Sequence, residues 1–496
     1  MKKLLIANRG EIAVRIIYAA RAMGIKTVAV YSDADKNSLH TGLADEAVCL
    51  GASEPSQSYL DIEKVLDAAK STGAEAVHPG YGFLSERAEF AEACEKAGLK
   101  FVGPSAKAMR MLGSKIEAKE IAVKADVPIT PGFFKQGAGL EEITKAAKTI
   151  GYPVMLKASA GGGGRGMRVV REPHDLASEF NIASDEALKA FGDGAMMVEK
   201  LIDRPRHIEV QVLADQHGTV TCLFERECSL QRRNQKVLEE APSVVGAQIW
   251  PDLKACVERL IKAANYTNAG TVEFMFDDKT GKFYFLEVNA RLQVEHPVTE
   301  GITGLDLVQW QLRIADGGKL DLSDSLLEGS REVIHGHSIE VRIVAEDPAH
   351  GFRPSIGKIL TWAQPQQPGV RVDTGFSAGA EVSRYYDSLL AKLIVHGQTR
   401  RDAIDKMEKA MLDFHVLGIK TNIPYLLEIV RHPEFRAGRI DTGFLGREFA
   451  DWTSSREVPL ELANILPLGE RVGGGIAATE REYDSAWAVD DGFRNA

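Results

Sequence analysis

A chain of 496 residues is too long for one compact core and predicts two or three subdomains. Its 60 basic and 70 acidic side chains leave a net charge of −10, which argues against nucleic acid as the main partner but leaves room for a local phosphate site. The five cysteines, Cys49, Cys94, Cys222, Cys228 and Cys256, contain no Cys-x-x-Cys pair, so neither a zinc site nor a disulfide framework is indicated and a reducing cytoplasm is the simplest location. No apolar run has the length of a signal peptide or a transmembrane span, so no membrane anchor is expected.

Leu4–Ala7 reads as a buried strand, Glu11–Met23 as a helix and Thr27–Tyr31 as a second buried strand, together a βαβ unit. The rhythm continues through Ala76-Val77-His78 and Lys100-Phe101-Val102, which predicts a doubly wound parallel sheet over about residues 1–103. Its first turn, Asn8-Arg9-Gly10, has one glycine where a dinucleotide fingerprint wants three, so a nicotinamide site is not expected. Helical sequence runs to about Val127, followed by the breakers Pro128 and Pro131-Gly132.

From Thr130 a helix over Leu140–Thr149, a strand over Tyr152–Lys157, a glycine loop and a strand over Met167–Val170 predict an α+β lid. The loop, Ala160-Gly161-Gly162-Gly163-Gly164-Arg165-Gly166, lies between two strands rather than opening a helix, so it reads as a hairpin flap whose amides could cover phosphates, with a bare linker as the alternative. Lys157 just before it favours phosphate. Glu199-Lys200 suits an edge where a nucleotide base meets backbone, although a plain interdomain connection reads equally well. Arg226 to Lys236 is a basic cluster on an expected loop. Beyond Leu201 the strands turn antiparallel in character, with helices expected over Leu253–Ala264, Leu305–Ala315 and Arg401–Phe414; after Arg447 the pattern fades into Gly473-Gly474-Gly475 and a charged end.

The most informative stretch is Lys282 to Glu300, where Glu287, Asn289, Arg291, Gln293 and Glu295 alternate with apolar residues. On an extended strand Glu287, Asn289 and Arg291 share one face. Two oxygen ligands beside a cation suit a divalent metal next to an anion. Fully extended, Glu287 to Glu295 would span about 26 Å, too far for one small-molecule site, so the chain must bend before Glu295, and Pro297 fits that bend.

In this order and spacing these segments, with Ile6-Ala7-Asn8-Arg9-Gly10-Glu11, His78-Pro79-Gly80-Tyr81-Gly82-Phe83, Pro205-Arg206-His207-Ile208-Glu209, His337-Ser338-Ile339-Glu340-Val341-Arg342 and Tyr385-Tyr386-Asp387-Ser388, resemble the biotin carboxylase family of the ATP-grasp superfamily, from Lys3 to about Glu448. The resemblance implies a mixed α/β and α+β architecture: an N-terminal Rossmann-like domain over 1–114, a helical linker and ATP-grasp lid over 115–200, an ATP-grasp core over 201–330, a C-terminal domain over 331–447 and a tail of unknown role over 448–496. It implies that ATP phosphorylates bicarbonate to carboxyphosphate, whose carbon dioxide is captured by the ureido nitrogen of biotin.

The matching positions then carry roles. Glu273, Glu287 and Asn289 would hold magnesium or manganese, with two ions expected. Lys115, Lys157, Gly162, Gly163, Gly164, Glu199, Lys200, His207, Gln231 and Asn234 would contact ATP. Arg291, Gln293 and the backbone at Val294, beside Lys236, would cradle bicarbonate, a planar guanidinium suiting a planar oxyanion. Glu295 would be the general base. Arg342 would stabilise carboxyphosphate and the enolate-like form of biotin, and Tyr81 and Asp387 would lie at the biotin end.

Some residues have blander readings. His296 reads as a structural hydrogen-bonder and His78 as the shaper of a Pro-Gly turn. Asn234 stands where the family usually has histidine, which keeps a hydrogen bond but no titratable charge and predicts weaker ATP binding. Ala290 and Val341 replace a common threonine and cysteine and are expected to face away from the chemistry. No Ala-Met-Lys-Met biotin-attachment motif occurs, so a separate biotin carrier protein and carboxyltransferase are the expected partners, with the chain itself a homodimer. Glu239-Glu240-Ala241-Pro242-Ser243 and Leu307 to Leu312 look closer to acyl-CoA carboxylase members than to pyruvate carboxylase. Another ATP-grasp ligase, or a silent nucleotide-binding scaffold, is the competing reading.

Overall fold

The computed structural model describes residues 1–135, 137–159 and 166–453. Five parallel strands, β1 (Lys3–Ile6), β2 (Lys26–Ser32), β3 (Glu46–Gly51), β4 (Ala76–His78) and β5 (Lys100–Phe101), lie in the order β3-β2-β1-β4-β5. Leu4, Leu5, Ile6, Val28, Ala29, Val30, Ala76 and Val77 are all buried, the continuous apolar run that a sheet covered on both faces requires. The chain enters at the central strand and winds outward in both directions, so the expected doubly wound sheet is present. Its switch point lies between β1 and β4, with Asn8-Arg9-Gly10 and His78-Pro79-Gly80 at their carboxyl ends.

The helices Ala106–Gly113 and Lys115–Lys124 lead to a small antiparallel sheet. There β6 (Gly132–Phe133), β7 (Val154–Ala158), β8 (Met167–Val170) and β9 (Met196–Lys200) lie in the order β6-β9-β7-β8. Helices Leu140–Ile150 and Leu176–Phe191 back it, and Ile143, Val154, Leu156, Ala183 and Val198 form its own core. This is the predicted lid; its glycine flap, with Gly162, Gly163 and Gly164, lies outside the described residues.

The third layer is one antiparallel sheet of eight strands. β10 (Arg206–Ala214), β11 (Val220–Arg232), β12 (Gln235–Ala241), β13 (Asn268–Asp277), β14 (Lys282–Asn289) and β15 (His337–Val344) run in the order β14-β13-β10-β11-β12-β15, followed by the strands Leu389–Gly397 and Val370–Thr374. Backbone pairing of β12 with β15, Leu238 opposite Val341 and Glu239 opposite Glu340, carries this sheet across residue 330 without a break. Helix Gly246–Ala263 covers one part through Leu253, Val257 and Leu260, and helices Arg400–Leu412 and Ile423–Arg431 cover the C-terminal part.

Two sequence expectations need correction. The helix expected from Leu253 begins at Gly246, because Pro251 is tolerated inside it at the loss of one backbone bond. Arg226 to Lys236 is not a loop: β11 runs to Arg232 and β12 starts at Gln235, leaving a two-residue turn at Arg233-Asn234. Both turn residues have positive φ, 50° and 63°, the primed turn that suits strand twist. No helix among the described residues is long and apolar enough to cross a membrane. Of the tail over 448–496, residues 454–496 lie outside the described residues.

Candidate functional site

Adjacent strands build the first half of the site. The β13–β14 register sets Glu273 opposite Glu287 and Thr271 opposite Asn289. As the spacing required, the chain turns after Asn289: β14 ends there, and Glu295 becomes the N-cap of helix His296–Thr303 with Pro297 in its first turn. Arg291 therefore lies beyond the strand, and it returns to the shared face by donating to Asn289 Oδ1 at 3.0 Å, with its Nε 3.2 Å from Glu86. Glu273 Oε1 collects donors from Asn289 at 2.8 Å, Gln293 at 2.8 Å and Lys236 at 2.9 Å.

Lys236 is the hub. Its ammonium also donates to Glu209 at 2.5 Å and to Glu295 at 2.6 Å. Burial would lower its pKa, but Glu209, Glu273 and Glu295 drive it well above the ordinary lysine value. Arg342, on β15, donates to the other oxygen of Glu295 at 2.9 Å and through Nε to Glu239 at 2.6 Å. Burial alone would raise the Glu295 carboxyl; Lys236 and then Arg342 outweigh both that and the repulsion from Glu209, so it is held below the usual carboxylate range. The result is an ionised carboxylate, 2 % exposed, between two cations: a proton acceptor at neutral pH.

At the neighbouring end, His207 Nε2 lies 3.2 Å from Glu273. Burial would neutralise this imidazole, but the carboxylates of Glu273 and, 3.7 Å away, Glu209 carry its pKa up to about 9. Burial raises the Glu287 carboxyl, and the charge of Glu273 raises it further. Two carboxylates that penalise each other, with an amide oxygen beside them, are a donor set that a divalent cation would relieve.

These groups line one cavity of about 700 Å³. Every described residue assigned a role from sequence lines it except Glu199 and Lys200. Glu199 stands behind the wall, its carboxylate bound by Lys119 at 2.5 Å and by Lys157; burial would raise its pKa, and the two lysines take it down to about 2. Lys200 turns away: its ammonium donates to the carbonyls of Gly151 and Tyr152 at 2.9 and 3.1 Å, and its amide bonds Pro131. Any contact of Lys200 with ATP would therefore come from its backbone and not from its side chain.

The quieter sequence readings hold. His296 Nδ1 meets the Gln293 carbonyl at 2.7 Å, and the Gly80 amide donates to His78 Nδ1 at 3.0 Å. Ala290 and Val341 are buried in hydrophobic cores away from the cavity. Sequence reasoning missed Lys119 and Arg226. Lys119 lies four residues beyond Lys115 on one helix, a same-face spacing that could have flagged it. Arg226 is fully buried, donating to Glu209, Gln211, Thr299, Thr271 and Gln293. No local pattern marks it, since its partners come from four separate segments.

Comparison with known proteins agrees with this geometry. Residues 1–109 match the model of the biotin carboxylase N-terminal domain, 114–323 that of the carbamoyl-phosphate synthase L chain ATP binding domain, and 340–447 that of the biotin carboxylase C-terminal domain. Biotin carboxylase 2 of Bacillus subtilis is 50% identical over 444 residues, which are 89% of this chain and 98% of that one. The propionyl-CoA carboxylase alpha chain of Caenorhabditis elegans is 50% identical over 446 residues, and there the match spans 61% of the relative's length. The biotin carboxylase domain dimer of Hydrogenobacter thermophilus 2-oxoglutarate carboxylase, solved with MgADP, ADP and bicarbonate, superposes with a TM-score of 0.86 at 46% identity, covering 91% of this chain and 98% of that one. With its three domains matched in order and a full-length relative at this identity, the chain belongs to the biotin carboxylase family of ATP-grasp ligases.

Proposed function

We propose that the chain carboxylates carrier-bound biotin with bicarbonate and ATP, as the first half-reaction of an acetyl-, propionyl- or methylcrotonyl-type acyl-CoA carboxylase. The observation that carries the reading is Glu295, an ionised carboxylate clasped by Lys236 and Arg342 at the cavity wall. Bicarbonate bound by Arg291, Gln293 and the Val294 backbone gives its proton to Glu295, and the freed oxygen attacks the terminal phosphorus of ATP, forming carboxyphosphate as ADP leaves. Lys115, Lys157 and His207, cationic groups on the same cavity, take the triphosphate charge. Glu273, Glu287 and Asn289 would hold magnesium or manganese, which when bound neutralises charge on the transferring phosphoryl group. Carboxyphosphate then releases carbon dioxide and phosphate, the released phosphate takes the proton of the ureido nitrogen, and Arg342 stabilises the enolate-like ureido group that captures the carbon dioxide, with Tyr81 and Asp387 at the biotin end.

Propionyl-CoA and methylcrotonoyl-CoA carboxylase alpha chains among the relatives favour an acyl-CoA system. A separate carrier protein, a carboxyltransferase partner and a homodimer belong to the same proposal, the dimer supported by the Hydrogenobacter thermophilus structure. The test is phosphate release from ATP with magnesium and bicarbonate, with and without free biotin. Bicarbonate-dependent turnover that biotin stimulates is expected, and Glu295→Gln should lower it by at least about 100-fold while ATP still binds. Turnover indifferent to bicarbonate and biotin would assign the chain to another ligase reaction.

A further inference from the structure

In open α/β sheets, ligands settle in the crevice beyond the carboxyl ends of the strands at the switch point. Here the C-terminal domain fills that crevice. Tyr386 lies with its ring 4.0 Å from the Arg9 guanidinium, and its hydroxyl contacts Ser32 at the end of β2 and donates to the Ser53 carbonyl at 2.7 Å. Backbone packing is as close: a Cβ on Gly375 would stand 2.6 Å from the Gly10 carbonyl carbon.

The first turn of the sheet is what grips these pieces, and three of its side chains each hold a different element of the cavity. Asn8, buried, donates through Nδ2 to the carbonyls of Pro79 and Tyr81 at 2.7 and 2.8 Å, fixing the loop that presents Tyr81. Arg9 is itself pinned by a two-point bond to Asp35 at 2.6 and 2.8 Å, with Tyr59 donating to the same carboxylate at 2.6 Å. Its planar guanidinium face is the platform for Tyr386, next in the chain to Asp387. Glu11, also buried, sits 3.2 Å from the ammonium of Lys392, which donates to the Val294 carbonyl at 3.3 Å and lies 5.9 Å above the Tyr81 ring.

We infer that Asn8, Arg9 and Glu11 are positioning residues that fix Tyr81, Asp387 and the Val294 carbonyl relative to one another, so that the turn which elsewhere binds a dinucleotide serves here as the keystone of the biotin end and of its junction with the bicarbonate cradle. The assignment of that end rests on the function proposed above; the positioning itself rests on the contacts alone. The strand-built end, with Glu273, Glu287 and Asn289, touches none of the three. A planar fork that both bonds Asp35 and stacks on Tyr386 has no equivalent in lysine or glutamine.

Arg9→Gln tests this by amide hydrogen exchange and by kinetics. Exchange should quicken severalfold at residues 80–83 and 384–389 and stay unchanged at 271–289, and the KM for biotin should rise at least fivefold while those for ATP and bicarbonate move less than twofold. Should Arg9→Gln not fold, Arg9→Lys, which keeps the charge against Asp35 but loses the fork, is expected to give the same pattern with a smaller ratio. Unchanged exchange at 384–389, or exchange and KM values that shift alike at both ends, would overturn the positioning role. Absence of biotin-stimulated turnover in the unsubstituted chain would count against the proposed function alone, since the exchange pattern still decides the positioning.

Discussion

The two ends of the cavity are built by different means. At the end proposed for metal and phosphate, Glu273, Glu287 and Asn289 stand on paired strands of one sheet, and the ladder itself sets their spacing. At the end proposed for biotin, Tyr81, Asp387 and Arg342 come from the first domain, a C-terminal loop and β15, and side chains such as Arg9, Asn8 and Lys392 must hold them together. A strand-built end resists perturbation until the sheet fails. A loop-built end can lose its geometry while the fold survives.

The largest expected effect comes from attacking the strand-built end where it is most interdependent. Arg226→Ala removes a fully buried guanidinium and leaves Glu209 with Lys236 and, 3.7 Å away, His207. Breaking one partner of such a buried set costs about 3–5 kcal/mol, so the urea midpoint should fall sharply and binding and catalysis should fall with it. Survival of the fold with only the kinetics changed would erase the distinction between the two ends.

Next in size is the tie that extends the sheet's rigidity into the C-terminal domain. Glu240 on β12 accepts from His337 at 2.7 Å and from Arg400 at 2.7 and 3.0 Å. Burial would raise its carboxyl, but Arg400 and His337 bring the pKa from 4.5 down to about 2. With the folded value depressed, its stabilisation is fully present above pH 4.5 and is lost as pH falls through about 2; the size is about 3 kcal/mol. Glu240→Gln should cost about that at pH 7 and flatten the acid limb of the stability curve relative to the unsubstituted chain. An unaltered acid limb would show that this tie carries no such energy. At the loop-built end, by contrast, Asp387→Ala should move stability by no more than about 0.5 kcal/mol and yet raise the KM for biotin; a large fall in melting temperature would mean that the loop, too, is part of the rigid frame.

The same contrast explains what could be seen in the sequence. Strand alternation from Glu287 to Glu295 and the apolar runs of β1, β2 and β4 are local signals, and the parallel sheet, the placing of Glu287 and Asn289 on one strand and the bend before Glu295 were all legible from them. The keystone was not: Asn8-Arg9-Gly10 was recognisable as a turn lacking a dinucleotide fingerprint, but what it grips lies 71 to 381 residues away. Arg226 misled for the related reason that a polar run inside a fully buried strand looks like a loop unless its partners are known.

Asn234 is the smallest of these perturbations and joins both kinds of information. It occupies the second position of the two-residue turn between β11 and β12, at φ 63°. Asparagine is, after glycine, the residue that best accepts this left-handed conformation, because its short amide can bond locally. The turn therefore gives a structural reason for asparagine at a position where the family usually has histidine, and the side chain lines the cavity near Gln231 and Lys236. Asn234→His should cost less than about 1 kcal/mol of stability and supply a ring that can bear charge beside the nucleotide. The KM for ATP should fall severalfold with kcat unchanged. An unchanged KM would mean that the turn, though part of the cavity wall, makes no contribution to holding ATP, and that this asparagine answers to the hairpin alone.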